Sequence, residues 1–467
     1  MSAEVTLKLA FYGDDFTGST DALEALARCG LRTALFLSPP DGKALARVGP
    51  LDAFGVAGDS RTMTPQQMDT ALPAVFDALA RSGAPIVHYK VCSTFDSAPG
   101  IGSIGHAMEI ARSHFHQSWI PVVGGTPALR RFCAFGHLFA RSGTDGQVYR
   151  IDRHPIMRAH PVTPMDESDL MLHLGRQAPL ALANMPFTAL DSGAEAAEQH
   201  LAQLVHGGAE AVVLDSLSEP HLTEVGRLLW RNAHAGQPIF VVGPSGVEYA
   251  LTQWWRRSGQ IPAAPHAWQP FKAAQRVLAV SASASALSAR QIDAAVAAGY
   301  APLEVDAAAL VSQAAHGPRG AAHAALMQQA VTLLASGRSV ILHTARGPND
   351  PRIEAAAQVL CDHDGMEAHA ARREAGRRIG QQLGAITRAV LQTGAAERLL
   401  VSGGDSASRI VQALAPDALL MSAPLAPGAP MCRAIAREPW LDGLELALKG
   451  GQMGDERFFE TAKNGLD

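Results

Sequence analysis

The chain has 467 residues, of which 47% are hydrophobic and 18% charged, and its formal net charge is -5. The length predicts two large domains, and the composition is typical of a folded globular protein, which excludes a disordered chain. The basic residues are scattered, so the charge pattern gives no footprint for nucleic acid and predicts no nucleic-acid partner.

Cysteine usage and the N-terminal segment bear on the cellular compartment. The five cysteines form no CxxC pair, and such sparse usage fits a reducing cytosol. The segment Met1–Lys8 holds no apolar signal region, and no apolar run reaches the ~18 residues of a membrane span. We therefore predict a cytoplasmic protein with no membrane partner and no metal site built from its own side chains.

Short apolar segments rich in Val, Ile, Leu and Phe alternate with Ala-rich helical patterns along the chain. This alternation predicts an α/β fold of two domains, each a mostly parallel sheet flanked by helices. The predicted strands of the first half are Leu7–Gly13, Thr33–Leu37, Phe54–Ala57, Ile86–Val91, Trp119–Val123, Ala211–Asp215 and Ile239–Val242. Those of the second half are Val277–Ser281, Pro302–Val305, Val340–Thr344, Leu399–Ser402 and Leu444–Lys449.

Two segments lack this alternation. The stretch Gln260–Lys272 is rich in proline, which removes donors that helices and central strands need, so we predict an interdomain linker. The linker separates a first domain over residues 1–259 from a second domain over residues 273–467. The segment Gly136–Asp166 is loop-like, and its His-Pro pairs predict an extended arm that covers a cleft.

The first strand ends in the run Asp14–Ser19, where two acids are followed by Phe, Thr, Gly and Ser. A helical pattern with one apolar face follows at once, and Gly30 ends it, so rigid elements hold the turn on both sides. Open α/β sheets bind their ligands at this location. A carboxylate there can accept a hydroxyl proton, which makes Asp14 and Asp15 catalytic candidates, and helix capping is the alternative interpretation.

Two further strand ends in the first half carry polar residues. Arg61 could clamp a carboxylate in bidentate fashion, and an ordinary surface arginine is the alternative. Lys90 is followed by Cys92, Ser93 and Thr94. A lysine with neighbouring hydroxyls suits an anionic, polyhydroxylated ligand, and a simple Ser/Gly loop is the alternative. No triad partners accompany Cys92, so we expect it to be a packed thiol.

Glycine-rich turns follow strands in the second half at Ser402–Ser408 and Lys449–Gly454. Smaller loops at Ser281–Ser285 and Thr344–Asn349 occupy equivalent places. Glycine lets the backbone approach phosphate oxygens, and a following helix N-terminus favours negative charge. The turns match neither the Walker A loop nor GxGxxG. Their shared placement at strand ends predicts a nucleotide site.

The run Asp14–Asp21 resembles the DDFTG[AS]TD signature of the four-carbon acid sugar kinases. The resemblance extends in order over nearly the whole chain. The other similar blocks are Arg153–Met157, His160–Met165, Ser281–Ser285, Gly403–Ser406 and Lys449–Gly454.

This resemblance implies an ATP-dependent kinase for small sugar acids such as 3-oxo-tetronates, erythronate and threonate, with Mg²⁺ as cofactor. In that family the N-terminal domain binds the acid and the C-terminal domain binds ATP. Asp15 would accept the hydroxyl proton, Asp14 would orient it or position the metal, and Arg61 and Lys90 would bind the carboxylate. The implied acid-site residues are Arg61, Lys90, Cys92, Ser93 and Thr94. The implied nucleotide contacts are Ser281, Gly403, Gly404, Asp405, Ser406, Gly450 and Gly451.

Many family members read K-x-D-S-T-x-R-G where this chain has Lys90–Ser97. Cys92 therefore replaces an acid and Asp96 replaces a basic residue, which changes the charge of that part of the pocket. The departure favours a branched or oxidised acid, such as 3-oxo-isoapionate, among the substrates.

Two other function classes remain open on the sequence. One is a nicotinamide-dependent dehydrogenase, which predicts a GxGxxG turn that we do not find. The other is a non-catalytic two-domain sensor of sugar acids. The sequence does not fix the oligomeric state, and a homodimer is one candidate.

Overall fold

The structure, a computed structural model, describes residues 7–143, 146–160, 162–233, 236–264, 266–313 and 320–465. The chain divides into two compact units, Met1–His266 and Ala267–Asp467, and the division falls within the proline-rich stretch 260–272. Residues 1–6 of the N-terminal segment, Pro161 of the predicted arm and Pro265 of the predicted linker lie outside the described residues.

Unit 1, Met1–His266, alternates strands and helices. Its strands are β1 Leu9–Gly13, β2 Thr33–Phe36, β3 Ala53–Ala57, β4 Ile86–Lys90, β5 Ile120–Val123, β6 Arg131–Ala134, β7 His137–Arg141, β8 Val148–Arg150, β9 Leu182–Met185, β10 Ala211–Leu214 and β11 Ile239–Gly243. Its helices are α1 Phe16–Ala27, α2 Gly42–Val48, α3 Pro65–Ala80, α4 Ile104–Arg112, α5 Leu170–Gly175, α6 Phe187–Leu190, α7 Ala194–His206, α8 Glu219–Asn232 and α9 Gly246–Arg257. Short 3₁₀ turns lie at Ser60–Thr62, Pro127–Leu129, Ile151–Arg153 and Met157–Ala159.

The main sheet of unit 1 is parallel, with strand order β2-β3-β1-β4-β11-β5-β10-β9. From β1 the chain continues to β2 and β3 on one side, and it then crosses to β4 on the other side. The carboxyl ends of β1 and β4 therefore flank a topological switch point, where open α/β sheets form a binding crevice.

The core of unit 1 shows why small residues stand in its strands. Tyr12 and Tyr89 stack with ring centroids 5.9 Å apart, and Phe76 packs against both rings. A Cβ at Gly58 would lie 2.0 Å from the Tyr12 hydroxyl. A Cβ at Gly55 would lie 2.1 Å from the aromatic ring of the residue that precedes Tyr12 in β1. Glycine at both positions therefore leaves room for aromatic side chains that fix the β1, β3 and β4 region.

The arm predicted over Gly136–Asp166 is wrong in the two parts of this segment that form strands. This segment contains β7 and β8, which form with β6 a three-stranded antiparallel sheet. The alternation of half-exposed and buried residues in these short strands is typical of a small sheet with one solvated face.

Unit 2, Ala267–Asp467, also alternates strands and helices. Its strands are β12 Val277–Ser281, β13 Ala301–Glu304, β14 Val340–His343, β15 Arg398–Ser402, β16 Ala418–Ala426, β17 Ala429–Ile435 and β18 Glu445–Lys449. Its helices are α10 Ala286–Ala297, α11 Ala307–Gln313, α12 Ala321–Ala335, α13 Pro351–Asp364, α14 Ala368–Gln392, α15 Gly404–Leu414 and α16 Phe458–Asn464.

The strand order of unit 2 is β13-β14-β12-β15-β18-β17-β16. The first five are parallel, whereas β16, β17 and β18 pair in antiparallel fashion. The chain leaves β12 on one side and returns to β15 on its other side, which places a second switch point between these strands. The predicted α/β class is therefore confirmed, with an antiparallel edge that the sequence analysis did not anticipate.

Among the described residues, no helix combines the length and the apolar character needed to cross a membrane.

Gly226 allows α8 and α9 to approach closely, and this contact yields a stability prediction. A Cβ at Gly226 would lie 2.0 Å from the Ala250 carbonyl oxygen, whereas exposed Gly376 of α14 has nothing within 4 Å. We expect Gly226→Ala to lower the free energy of unfolding by about 2 kcal/mol through overpacking. The same change at Gly376 should raise it by about 0.5–1 kcal/mol, because alanine loses less entropy in a helix.

Differential scanning calorimetry of both variants beside the wild type measures the two effects. Equal shifts in the same direction would contradict the proposed close approach of α8 and α9.

Candidate active site

The site of unit 1 is built where β1, β3 and β4 end. The backbone N–H of Asp14 donates to the Lys90 carbonyl oxygen at 2.9 Å, and that of Arg61 donates to the Asp14 carbonyl oxygen at 3.0 Å. These bonds continue the strand pairing beyond the sheet. Three polar residues that are distant in sequence are thereby fixed at the switch point of the sheet.

Arg61 binds both aspartates of the opening motif. Its Nη2 lies 2.6 Å from Asp14 Oδ1 and 2.7 Å from Asp15 Oδ1, and its Nε donates to Asp14 Oδ2 at 3.1 Å. The Asp14 side chain is only 3% exposed, against 19% for Asp15. Asp14 is thus enclosed by its arginine, and Asp15 is the carboxylate that a ligand can reach.

Asp15 is held as an ionised N-cap of α1. It accepts hydrogen bonds from the Gly18 N–H at 2.9 Å and the Thr17 hydroxyl at 2.7 Å. Burial alone would raise the pKa of Asp15, but the positive charges of Arg61 and Lys90, with these hydrogen bonds, hold it below its usual value.

The pKa of Asp14 is shifted in the opposite direction from that of Asp15. Burial raises the pKa of Asp14, the positive charge of Arg61 opposes that rise, and the negative charge of Asp15 adds to it. Neighbouring acids whose pKa values are driven apart are suited to different tasks in one site.

Lys90 completes this cluster. Its side chain is buried, and Nζ lies 3.7 Å from Asp21 Oδ2. A Cβ at Gly18 would lie 2.7 Å from Lys90 Nζ and 2.3 Å from Asp15 Oδ1. The glycine of the motif is therefore required because any side chain there would displace the two charged groups.

The loop after β4 is fixed by its own hydrogen bonds. The Thr94 hydroxyl donates to Asp96 Oδ1 at 2.7 Å and lies 3.0 Å from Cys92 Sγ. Burial raises the pKa of Cys92 to about 11, so its thiol is protonated at neutral pH. Ser93 is half-buried, and Phe95 has a φ of 55°, a conformation that non-glycine residues adopt mainly where surrounding structure enforces it.

One charged residue near these groups was missed by the sequence analysis. Arg131, the first residue of β6, lies near Cys92 and close enough to the carboxylates of Asp21 and Asp96 for their charges to act on its guanidinium. No local pattern pointed to it, because Arg131 belongs to the segment that follows β5 and carries no motif.

The loops predicted to contact a nucleotide meet at one edge of unit 2. The Ser285 hydroxyl donates to the Gly451 carbonyl oxygen at 2.6 Å, and the Ser288 hydroxyl lies 3.3 Å from that of Ser402. The Gly403 N–H donates to the Lys449 carbonyl oxygen at 2.9 Å.

The start of α15 suits a bound anion. Gly403 has a φ of 125°, and no side chain of the described residues caps the helix that begins at Gly404. Asp405 is exposed in the first turn, and Ser406 is half-exposed. Uncapped N–H groups at the start of an 11-residue helix are free to bind negative charge.

Four neighbouring parallel strands of unit 2 each end in a buried polar residue, and together these residues form a polar row. His343, Ser281, Ser402 and Lys449 are paired in register, so their side chains lie on the same face of the sheet. Within the described part of the chain, Ser281 Oγ and His343 Nε2 have no hydrogen-bond partner. Buried polar atoms are nearly always paired in folded proteins, so these two are available to a water or a ligand at this edge of the sheet.

Lys449 is the charged member of that row. Its Nζ donates to the Gly450 carbonyl oxygen at 3.0 Å and lies 5.7 Å from the centre of the Phe458 ring. No carboxylate among the described residues pairs with it, and burial lowers the pKa of Lys449 to about 7.

Comparisons with known proteins agree with this division of sites. The profile of the family described as "Sugar-binding N-terminal domain" matches residues 9–251, and that of the "Nucleotide-binding C-terminal domain" matches residues 278–459. The chain is 43% identical over 462 residues to a 3-oxo-isoapionate kinase of Paraburkholderia graminis, covering 98% of this chain and 94% of that protein.

The chain belongs to the four-carbon acid sugar kinase family.

More distant relatives extend this assignment. A 3-oxo-tetronate kinase of Cupriavidus necator is 28% identical over 454 residues, which cover 97% of this chain and 96% of that protein. A crystal structure of a Salmonella typhimurium LT2 protein aligns with a TM-score of 0.76 at 23% identity, over 98% of both chains, and shows the same fold.

The described residues contain no group of three or more His, Cys, Asp or Glu side chains that could hold a metal ion.

The Arg61 cluster predicts a pH-dependent loss of stability on substitution. Arg61→Met would leave two buried carboxylates without their cation, and we expect the free energy of unfolding to fall by about 3 kcal/mol at pH 7.5. The lowered pKa of Asp15 contributes stability above its unfolded pKa, and this contribution is lost as the pH falls. The deficit of the variant should shrink at pH 5, because burial without Arg61 raises the pKa of its carboxylates and they take up protons there.

Arg81→Met is the matched control, because Arg81 pairs with Asp77 on the surface, where the side chains are 70% and 47% exposed. It should change stability by less than about 0.5 kcal/mol. Urea unfolding at both pH values measures these differences, and equal deficits for the two variants would refute the buried arrangement.

Proposed function

We propose that this protein transfers the terminal phosphoryl group of ATP to a hydroxyl of a small sugar acid. The observation that carries the proposal is the pair Asp14–Asp15 at the switch point of the sugar-binding domain, with one acid enclosed by Arg61 and the other accessible and ionised. The family membership and the glycine loops at the second switch point support the same division, with residues 1–259 for the acid and residues 273–467 for the nucleotide.

The chemical step is an in-line displacement. A hydroxyl oxygen of the acid attacks the γ-phosphorus, the bond from that phosphorus to the bridging oxygen breaks, and ADP leaves. Asp15 orients the hydroxyl and receives its proton. Asp14 holds Arg61, which in turn fixes the position of Asp15. Since phosphoryl transfer depends on positioning and electrostatics, such rigidity is the main requirement on this side.

Lys90, Cys92, Ser93 and Thr94 are proposed to contact the acid. Lys90 supplies positive charge beside Asp15, and the hydroxyls of Ser93 and Thr94 recognise substrate hydroxyls. The neutral thiol of Cys92 stands where many relatives carry an acid. Its lack of charge favours a branched or oxidised acid, and the 43% identity to a 3-oxo-isoapionate kinase supports 3-oxo-isoapionate as the first candidate.

The nucleotide is proposed to bind on the polar row and the neighbouring loops of unit 2. The unpaired Ser281 hydroxyl is suited to a nucleotide contact. The backbone of Gly403–Ser406 and of Gly450–Gly451 would receive phosphate oxygens. Mg²⁺ usually binds through phosphates and one or two carboxylates, and exposed Asp405 could provide one; the ion would neutralise charge on the transferring group.

A substrate panel tests the proposal directly. ADP release is followed with 3-oxo-isoapionate, 3-oxo-tetronates, erythronate and threonate, with NAD reduction measured in parallel. We expect ADP release and a phosphorylated acid in the mass spectrum. NAD reduction would indicate a dehydrogenase instead, and binding of an acid without either product would indicate a sensor.

Asp15→Asn tests the proton acceptor. Turnover should fall at least about 100-fold while ATP affinity stays unchanged, because the amide cannot accept the proton. The matched control is Asp69→Asn on α3, whose side chain is 55% exposed and contacts His106. Steady-state kinetics with the best acid of the panel compares the variants, and near-normal turnover of Asp15→Asn would exclude the assigned role.

We expect nucleotide binding to be coupled to the protonation of the Lys449 amine. Its pKa of about 7 means that the amine is largely neutral at pH 8, and phosphate charge would favour the protonated form. ATP binding should therefore take up protons at pH 8 but not at pH 6, and its affinity should fall as the pH rises through this range.

Titration calorimetry in buffers of different ionisation enthalpy measures the uptake. Lys449→Met should abolish it, whereas Lys272→Met, which removes an exposed lysine of the same unit, should leave it intact. Uptake that persists in Lys449→Met would show that another group is responsible.

A further inference from the structure

Arg131 is fixed beside the proposed acid site by the backbone of unit 1. Its N–H and carbonyl oxygen both bond to Thr126, at 3.2 and 3.0 Å, and Thr126 follows β5 by three residues. The Thr126 hydroxyl also accepts from the Gly246 N–H at 3.1 Å, at the start of α9. Arg131 is therefore tied to the same carboxyl edge of the sheet that carries Asp15 and Lys90.

The hairpin that carries Arg131 is anchored at its far end by a buried acid. Asp215 is fully buried and accepts hydrogen bonds from the N–H groups of Phe135 and Gly136, at 2.5 and 2.9 Å. Cys133 exchanges two backbone hydrogen bonds with Ser216, at 3.0 and 3.1 Å. These contacts hold β6 in place, so the position of its first residue is determined by the fold.

Strained backbone flanks the same strand. Arg130 and Phe135 have φ values of 58° and 51°, on either side of β6. Non-glycine residues adopt such values at a cost of about 1–3 kcal/mol each, and they concentrate at functional sites.

The protein itself provides few hydrogen-bond acceptors for the Arg131 guanidinium. Its Nη1 donates to the Leu129 carbonyl oxygen at 2.6 Å, and its Nε is buried without a hydrogen-bond partner within the described ranges. No carboxylate in the described part of the chain forms an ion pair with it, in contrast to Arg61. Burial lowers the pKa of Arg131, but a guanidinium remains charged in proteins.

The acceptor groups nearest Arg131 are neutral or engaged with other partners. Cys92 is a neutral thiol, and Asp96 already accepts the Thr94 hydroxyl. Asp21 is engaged with Lys90 at 3.7 Å. A half-buried cation with an unpaired Nε and no ion-paired carboxylate is typical of a site for a carboxylate that arrives with the substrate.

We propose that Arg131 binds the carboxylate of the sugar acid and thereby selects acids over neutral sugars. This inference rests on the proposed function, because it assigns the recognition of the acid group in that same site. Arg61, whose Nε and Nη2 are engaged by Asp14 and Asp15, then acts as a positioning residue for the two aspartates.

The test compares 3-oxo-isoapionate with its uncharged primary amide. Wild-type protein should bind the acid about 30- to 100-fold more tightly than the amide, as expected for a charge-assisted hydrogen-bonded pair. Arg131→Gln should raise the KM for the acid by a similar factor while leaving the KM for ATP and the KM for the amide unchanged. Its preference for the acid over the amide should therefore disappear.

Two further variants separate recognition from a structural role. Arg130→Gln changes the exposed neighbouring arginine and should behave as wild type. Arg131→Lys keeps the charge without the planar fork, so it should weaken acid binding about tenfold and leave amide binding unchanged. If circular dichroism shows that Arg131→Gln does not fold, Arg131→Lys carries the test.

The outcomes distinguish this inference from the proposed function. A wild-type protein that binds 3-oxo-isoapionate in the calorimeter but releases no ADP would refute the kinase proposal, and the Arg131 comparison could still be made by binding alone. An unchanged preference for the acid over the amide in Arg131→Gln, or in Arg131→Lys where the first does not fold, would overturn the role of Arg131.

Discussion

The proposed acid site depends on one guanidinium held between two adjacent carboxylates. Asp14 and Asp15 occupy a tight turn between a buried strand and a helix, where like charges and burial both favour protonation. The positive charge of Arg61 opposes this protonation. Because β3 pairs with β1, Arg61, which follows β3, reaches both acids with its side chain. The same contact makes the acids unequal, since Asp14 is enclosed and Asp15 is partly exposed. Accessibility therefore separates their roles more clearly than the sequence could.

The placement of both sites follows from chain topology. In each unit the first strand is flanked by strands reached in opposite directions, which opens a crevice between β1 and β4 and another between β12 and β15. The motif acids follow β1 and the glycine turn follows β15. The sequence shows each turn next to its own strand, but adjacency across the sheet is a property of strand order, which no local pattern contains.

The strands that are buried along their whole length were all predicted. β1 and β12 are buried along their whole length and appear as continuous apolar runs, so their bounds were predicted within two residues. β6 and β7 were missed because their residues are alternately half-exposed and separated only by Phe135 and Gly136. Arg131 was missed because it lies in β6, which was not predicted, and carries no motif. Its significance comes from backbone bonds to Thr126 and from the distant acid Asp215, and neither relation leaves a trace in a local pattern.

Lys449 and Arg131, which have no ion pair among the described residues, respond to desolvation in different ways. Lys449 can lose its proton, and its lowered pKa shows that burial favours the neutral amine in the free protein. Arg131 has no such option, because a guanidinium stays charged at any physiological pH. Its desolvation is therefore a standing free-energy cost that a bound carboxylate would offset, and this preorganised charge favours acids at any pH at which their carboxyl group is ionised. A lysine at the same position would tie recognition of the acid to pH, as Lys449 is expected to do for the nucleotide.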